Sequence, residues 1–410
     1  MRRTDEFTLD RFLLQQMSEK DIDFVAWATS HWHAIGVDAF IYDLSQRENK
    51  KLRGVITILP HPKDGFLINE ADFICKNFTE VEFCFLDVSQ KNQKFTIFRV
   101  IKFIKNEFDI LLATKNIRNK NKNKKEIYIV SVITPSIYFI RHFRNRYLAN
   151  KYHPIFVLID EGLNIYMSPK IWNIVRRYDK QKTRRTLLEG IKLNILNLEV
   201  KVLESIVLNY IDIENRFVFN KERFELIPNM HIVESYKKTL DVRKKNHKGK
   251  KSEFVAMILT GPFSEYGQVS LEYEINLISR LIEILDRKSF DIIIKPHPRE
   301  YEGKYVAITR KYNVEIMQNR FPVEDIFPTL NPSCVIGYTS TALLNARFLY
   351  NIPAISMINI LLEISDDEML NVSGNDFKKL TNNMSNVFHI NGLEEIEDIL
   401  DDIKTKNKTS

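Results

Sequence analysis

Short apolar runs rich in β-branched residues recur along this chain, and stretches with helical spacing separate them. Residues 23–28, 54–59, 81–87, 108–113, 126–132 and 154–159 read as strands. Helices fit the intervals, among them one from Ala34, one over 69–77 and one over 135–147. Such alternation builds βαβ units on a parallel sheet. A second series starts after residue 252, with strands at 254–259, 290–294, 314–317, 333–336 and 353–357. Its helices fall at 271–285, 323–330, 341–350 and 393–403. Between the two series, 237–252 carries the basic run from Arg243 to Lys251 and reads as a linker. The expected domains are 1–240, a basic linker at 241–252, and 253–410. Residues 187–211 are apolar at helical spacing and should pack as core or as an inter-domain helix.

With 410 residues, two cores are the default, and 44% apolar content is enough to fill them. The formal charge of +7 favours a polyanionic partner: nucleic acid, an anionic glycan, or the inner face of a membrane. Basic stretches at 115–125 and 172–185 concentrate that charge, the first as a solvated loop. Three cysteines without CxxC spacing make neither a disulfide framework nor a zinc site. The opening residues lead into no apolar segment of signal-peptide type, and no run reaches membrane-spanning length. These features suit a cytoplasmic protein, with peripheral membrane association open to it.

Three stretches can carry chemistry. Asp160-Glu161-Gly162 ends the strand at 154–159, where glycine permits a tight turn and close approach of a substrate; a solvated strand end explains the same pair. Lys295-Pro296-His297-Pro298-Arg299-Glu300 follows the strand at 290–294, and its prolines force a turn. His297 can donate a hydrogen bond or proton to a phosphate, with Lys295 and Arg299 adding charge; a surface loop with a histidine is the plainer account. Gly337-Tyr338-Thr339-Ser340-Thr341 sits between a strand and a helix, where hydroxyls and unpaired N–H groups make an anion site. Ser340 or Thr341 as a helix N-cap is compatible with that role. All three lie at carboxyl ends of strands, where open α/β sheets bind ligands. Leu59-Pro60-His61-Pro62 also follows a strand but lacks a hydroxyl cluster downstream. His31 and His33 lack a zinc partner set. No acidic pair of the DxD type follows a strand to hold a divalent metal, and no GxGxxG or P-loop is present.

In this order across two α/β halves, the three stretches resemble those of bacterial sialyltransferases, the capsular polysialyltransferases above all. Those enzymes carry an Ile-Asp/Glu-Glu-Gly turn followed by a Tyr, matched by Ile159 to Gly162 and Tyr166. Their Lys-x-His-Pro-x-Glu turn is matched by Lys295 to Glu300, and their Gly-x-x-Ser-Ser stretch by Gly337 to Thr341 with Thr in the last place. A Phe-x-x-Glu step is matched by Phe321 and Glu324. The resemblance covers roughly residues 150–350. One departure, Leu163-Asn164-Ile165 in place of Thr-Gly-Thr, puts the acceptor in doubt.

The resemblance implies a GT-B architecture, two Rossmann-like parallel-sheet domains facing across a cleft, and an inverting transfer of sialic acid from CMP-sialic acid to a growing glycan. It implies Glu161 as general base and His297 as the acid that stabilises the leaving phosphate. Ser340 and Thr341 would hold that phosphate, Glu324 the ribose, and Lys295, Pro298, Thr260 and Gly261 the rest of the donor. No metal and no other cofactor is expected, since a single phosphate can be met by an imidazole and a few hydroxyls. An anionic glycan acceptor and capsule-assembly proteins are the expected partners, and nucleic acid is not. A lipooligosaccharide sialyltransferase adding one residue is the nearest rival. A teichoic-acid-type glycerolphosphotransferase also has a His-Pro turn and late serines, but the Asp160-Glu161-Gly162 turn argues against it.

Overall fold

A computed structural model describes residues 2–4, 6–59, 68–86, 124–132, 145–160, 162, 174, 216–218, 229–243, 253–317 and 322–409. The chain divides into two compact units. The first takes in Met1–Glu161, Lys182–Lys221 and Asn229–Thr239, the second Gly162–Gln181, Glu222–Pro228 and Leu240–Ser410.

The first unit holds β1 (Arg2–Thr4), β2 (Phe24–Ala28), β3 (Arg53–Ile58), β4 (Glu80–Leu86), β5 (Lys125–Ser131), β6 (Tyr152–Ile159) and β7 (Arg216–Phe217). They form one sheet in the order β1-β4-β3-β2-β5-β6-β7, with every pairing parallel. The second unit holds β8 (Val255–Leu259), β9 (Asp291–Lys295), β10 (Val314–Ile316), β11 (Cys334–Gly337), β12 (Ala354–Ser356) and β13 (Val387–His389). Their order is β10-β9-β8-β11-β12-β13, again all parallel. Apart from β1, both sheets have the doubly wound order 3-2-1-4-5-6 of nucleotide-binding α/β folds. The two parallel-sheet α/β domains expected of GT-B proteins are therefore present.

Burial explains why the strand runs read as continuously apolar. Ala256, Ile258, Ile292, Ile294 and Ile336 face helix Leu271–Arg287 and the closing helix Ile396–Thr409. The alternate residues Val255, Met257, Leu259, Ile293 and Val335 face helices Thr341–Tyr350 and Glu368–Thr381. A sheet covered on both faces needs apolar residues at every position, not at every second one.

Several expectations are corrected. A short strand, β1, precedes the first one expected, and β13 and the helices Glu6–Glu19, Val306–Lys311, Ile358–Ile364 and Glu368–Thr381 were not anticipated. The helix expected from Ala34 begins at His31, because the Ser30 side chain caps it by accepting from the His33 N–H. Residues 69–77 form two 3₁₀ turns, Glu70–Asp72 and Cys75–Asn77, in place of one helix. Buried Asp38 accepts from the N–H groups of both Ile74 and Cys75, which draws those donors out of any helical ladder. Residues 323–330 likewise split into a 3₁₀ turn, Val323–Asp325, and helix Phe327–Leu330.

The linker expected from residue 237 is helical as far as Arg243, in helix Met230–Arg243. Ile232, Val233, Tyr236, Leu240 and Arg243 are buried at helical spacing, a pattern hidden behind the exposed lysines. Lys125, taken as the end of a solvated basic loop, opens β5 and pairs with Asp21 at 3.0 Å and Asp23 at 3.3 Å. Of the helix expected over 135–147, the described part belongs to helix Arg146–Lys151. The strand expected at 108–113, the segment 187–211, the rest of the linker, Lys115 to Asn123 and Leu59-Pro60-His61-Pro62 beyond Leu59 lie outside the described residues, as does all of 172–185 except Ile174.

Candidate active site

In the second unit the order of strands reverses between β8 and β11, and this switch point is where a doubly wound sheet leaves room for a ligand. Three adjacent strands, β9, β8 and β11, end there. Their exits carry Lys295 to Pro298, Thr260 with Gly261, and Tyr338 to Thr341. The loops after β9 and β11 stand two strand spacings apart, about 10 Å. Most of the residues expected to hold a nucleotide sugar are thereby brought to one edge of one sheet.

Lys295 is the last residue of β9, and its carbonyl receives the Thr260 N–H at 3.3 Å. Burial pulls its pKa down to about 8, against the opposing attraction of Glu324. His297 follows in a turn closed by the Glu300 N–H donating to the His297 carbonyl at 3.0 Å. The Arg299 N–H donates to His297 Nδ1 at 3.2 Å, and Arg299 Nη1 reaches the Tyr266 hydroxyl at 3.1 Å. An imidazole whose Nδ1 accepts carries its proton on Nε2 while neutral. Pro298 is exposed at the head of this turn.

Ser340 caps helix Thr341–Tyr350, accepting the Ala342 N–H at 3.2 Å. Capping uses an acceptor lone pair of this hydroxyl, so the cap does not engage its proton. Thr341 occupies the first helical position, where N–H groups have no intrahelical partner. Gly162, from the acidic stretch, clusters with this unit and has φ +83°; a Cβ there would fall 2.5 Å from Thr341 Oγ1. Only glycine fits, for both backbone and steric reasons.

Thr260 and Gly261 at the end of β8 are held by protein contacts. The Thr260 hydroxyl donates to Glu300 Oε2 at 2.7 Å. A side chain at Gly261 would meet the Phe263 ring at 2.5 Å. Glu324 is 6% exposed, and its Oε1 accepts from Asn345 Nδ2 at 2.7 Å. Burial pushes its pKa up, with the Asn345 hydrogen bond working the other way. Next to it, Asp325 makes a buried ion pair with Arg243 at 3.1 Å.

A buried polar network that sequence reasoning missed lies beneath the His297 turn. The Glu300 carboxylate accepts from the His297 N–H at 2.7 Å, the Thr260 hydroxyl, the Tyr305 hydroxyl at 2.8 Å and Lys304 at 3.2 Å. Lys304 also reaches Glu274 at 2.7 Å and Glu265 at 2.9 Å. A spacing of three residues from His297 to Glu300, then four to Lys304, was the available signal.

In the first unit, β6 delivers Asp160 to a fully buried position, where its Oδ1 accepts from Trp32 Nε1 at 3.3 Å. Trp32 stacks on Tyr236 with ring centroids 5.5 Å apart. Burial pushes the Tyr236 phenol well up, with the Asp160 charge adding to the effect. Asp160 is thus a packing residue of the acidic turn. Glu161, Tyr166 and Phe321 lie outside the described residues. His33 Nδ1 pairs with the Thr29 hydroxyl at 2.7 Å, and His31 faces Asp72 at 3.8 Å. Among the described residues no three His, Cys, Asp or Glu side chains gather as a metal site would require. Among them, too, no helix is long and apolar enough to cross a membrane.

No curated protein matches the chain by sequence. Among solved structures it is similar to the UDP-GlcNAc 2-epimerase of Methanocaldococcus jannaschii, at 10% identity, a TM-score of 0.45 and coverage of 93% of this chain and 92% of that one. The UDP-GlcNAc 2-epimerase of Neisseria meningitidis gives 10% identity and a TM-score of 0.42, covering 94% and 100%. A Photobacterium 2,6-sialyltransferase solved with CMP and lactose gives 14% and 0.42, covering 90% and 78%. The family model for alpha-2,8-polysialyltransferases matches residues 24–359. That match starts at the first residue of β2 and takes in all three motif stretches, and the chain belongs to the alpha-2,8-polysialyltransferase family.

Proposed function

We propose that this chain transfers sialic acid from CMP-sialic acid to a hydroxyl of a growing α-2,8-linked polysialic acid chain, with inversion at the anomeric carbon and without a metal. The acceptor oxygen forms a bond to C2 of the donor sugar while the bond from C2 to the phosphate oxygen breaks. The acceptor proton passes to the Glu161 carboxylate, and the electron pair leaves with CMP. His297 donates from Nε2 to the phosphate as its charge grows, and Ser340 and Thr341 hold the same phosphate. Lys295 and Pro298 line the donor side, Glu324 serves the ribose, and Thr260 and Gly261 shape the loop beside it. The base is assigned to Glu161 because the matching role in the family falls on the second acidic residue of this stretch.

Family membership makes the chain a glycosyltransferase of sialic acid. The observation that carries the finer reading is the convergence of β9, β8 and β11 at the switch point of the second sheet. That edge offers one imidazole, hydroxyls at a helix N-terminus and a partly buried lysine, a set suited to a single phosphate. The excess of positive charge, +7 overall, suits a polyanionic glycan acceptor at the inner face of a membrane, in company with capsule-assembly proteins. Incubation with CMP-sialic acid and a sialylated oligosaccharide tests the reading, with products resolved by mass. A ladder of added sialic acid residues is expected. A single addition refutes polymerisation, and release of CMP without glycan extension refutes transfer.

A further inference from the structure

Glu300 has no part in the chemistry above, yet its carboxylate is densely hydrogen-bonded right beneath the His297 turn. Its side chain is 1% exposed and each carboxylate oxygen accepts two hydrogen bonds. Oε2 takes the His297 N–H and the Thr260 hydroxyl, both at 2.7 Å. Oε1 takes the Tyr305 hydroxyl at 2.8 Å and Lys304 at 3.2 Å. One carboxylate thus ties the exit of β8 to the exit of β9, and both to the helix that follows.

Such a group is costly to bury. Three carboxylates, Glu265, Glu274 and Glu300, surround the single Lys304 ammonium, so charge is not balanced locally. Burial pushes the Glu300 pKa up, and its donors only partly oppose this. An apolar side chain would stabilise the same space more simply. What only a carboxylate can do here is accept from four donors at once and so tie the His297 turn to Thr260 after β8 and to Lys304 and Tyr305 before the next helix. Within that turn the Arg299 N–H meets His297 Nδ1 at 3.2 Å, which selects the ring tautomer.

We propose that Glu300 is a positioning residue: it fixes the turn from His297 to Glu300 so that the Arg299 N–H holds the His297 ring with its proton on Nε2, as a hydrogen-bond donor to the anionic ligand. The identity of that ligand rests on the function proposed above; the tautomer does not. The first measurement therefore needs no substrate. The full chain is labelled with ¹⁵N-histidine, and His297 is assigned by its loss in His297→Ala. Spectra are taken near pH 8.5, about two units above the ordinary histidine pKa. Wild type is expected to show the Nε2–H form; a proton on Nδ1 overturns the proposal.

Glu300→Asp withdraws the carboxylate by one methylene, and Glu300→Gln removes its charge at constant size. In both, the tautomers should mix, and kcat should fall about ten- to a hundredfold with KM little changed, as for misplacement by about 1 Å. In a His297→Ala background the same substitutions should cost almost nothing further, because they act through the ring. A full additional loss in that background, or an unchanged tautomer in a folded Glu300→Asp, overturns the proposal. Tyr305→Phe, which removes one donor and keeps the carboxylate, covers the case in which neither Glu300 variant folds. A shift of tautomer in the same direction supports the proposal and no shift overturns it. If wild type transfers no sialic acid, the functional reading fails, while the tautomer still decides the role of Glu300.

Discussion

Lys295 gives the proposed donor site a dependence on pH whose sign and size follow from its surroundings. Burial at the end of β9 disfavours the ammonium and brings its pKa to about 8. The free protein then carries this charge in about 90% of molecules at pH 7 and about 10% at pH 9. If the ammonium meets the anionic donor, CMP binding requires the charged form, and the apparent Kd scales inversely with that fraction. Kd should therefore rise about tenfold between pH 7 and pH 9. CMP itself changes little over this range, since the second pKa of a phosphate monoester is about 6. Near pH 8, binding should take up roughly half a proton, measured by calorimetry in buffers of different ionisation enthalpy. Stability should move the other way. The folded-state pKa lies below the unfolded value, so above about 8 the unfolded chain binds more protons and stability linked to Lys295 rises with pH, up to the unfolded pKa of about 10.4. Below about 8 both states are charged and the cost of burying the ammonium is felt in full. A Kd that stays flat from pH 7 to 9 refutes the reasoning. So does a Lys295→Met variant that keeps the same climb.

Glu161→Gln should lower transfer about 10²- to 10⁴-fold, the usual contribution of a general base. CMP affinity measured by calorimetry should stay near wild type; near-normal turnover would remove Glu161 from the mechanism. Ser340→Ala combined with Thr341→Val should weaken CMP binding by about 1.5–3 kcal/mol, the scale of hydrogen bonds to a charged partner. A fall in Tm alone, with CMP affinity intact, would leave these residues as a helix cap. Trp32→Phe removes the N–H that meets buried Asp160 and should cost about 1–3 kcal/mol of stability in denaturant titration. Its kcat should fall while CMP affinity holds; an unchanged kcat would detach Asp160 from the acidic turn's function. Arg243→Ala leaves Asp325 buried beside Glu324 without its cation, and about 3–5 kcal/mol of stability should be lost. Arg243→Met with Asp325→Leu should recover most of it, and a single-variant loss under about 1 kcal/mol would show that water reaches the pair.

How much of this was legible in the sequence depends on whether a feature is local. The strands at the core of the second sheet could be read within one residue, because burial on both faces writes itself as an unbroken apolar run such as Ile292 to Ile294. Helix Thr341–Tyr350 was legible at both ends, its start marked by the cap at Ser340 and its end by Asn351, at φ 56°. The candidate site was legible to the same extent: strand, turn, then His297 or Ser340, each a pattern contained in a few residues. Boundaries failed where a distant polar group intervened. Nothing between residues 69 and 77 announces that Asp38 takes two of its N–H groups, so a helix was expected and two 3₁₀ turns formed. Arg243 read as one more solvated cation of a linker because its partner, Asp325, is 82 residues away. Glu300 read only as the last position of the Lys-x-His-Pro-x-Glu stretch, with no role of its own, though it stands at the centre of the hydrogen bonds that shape that turn. In each case the residue type and spacing were visible and the partner was not. Hydrophobic periodicity reports which side of an element is buried. It is silent on which buried carboxylate will accept from which loop, and in this chain those acceptances set the backbone that presents His297.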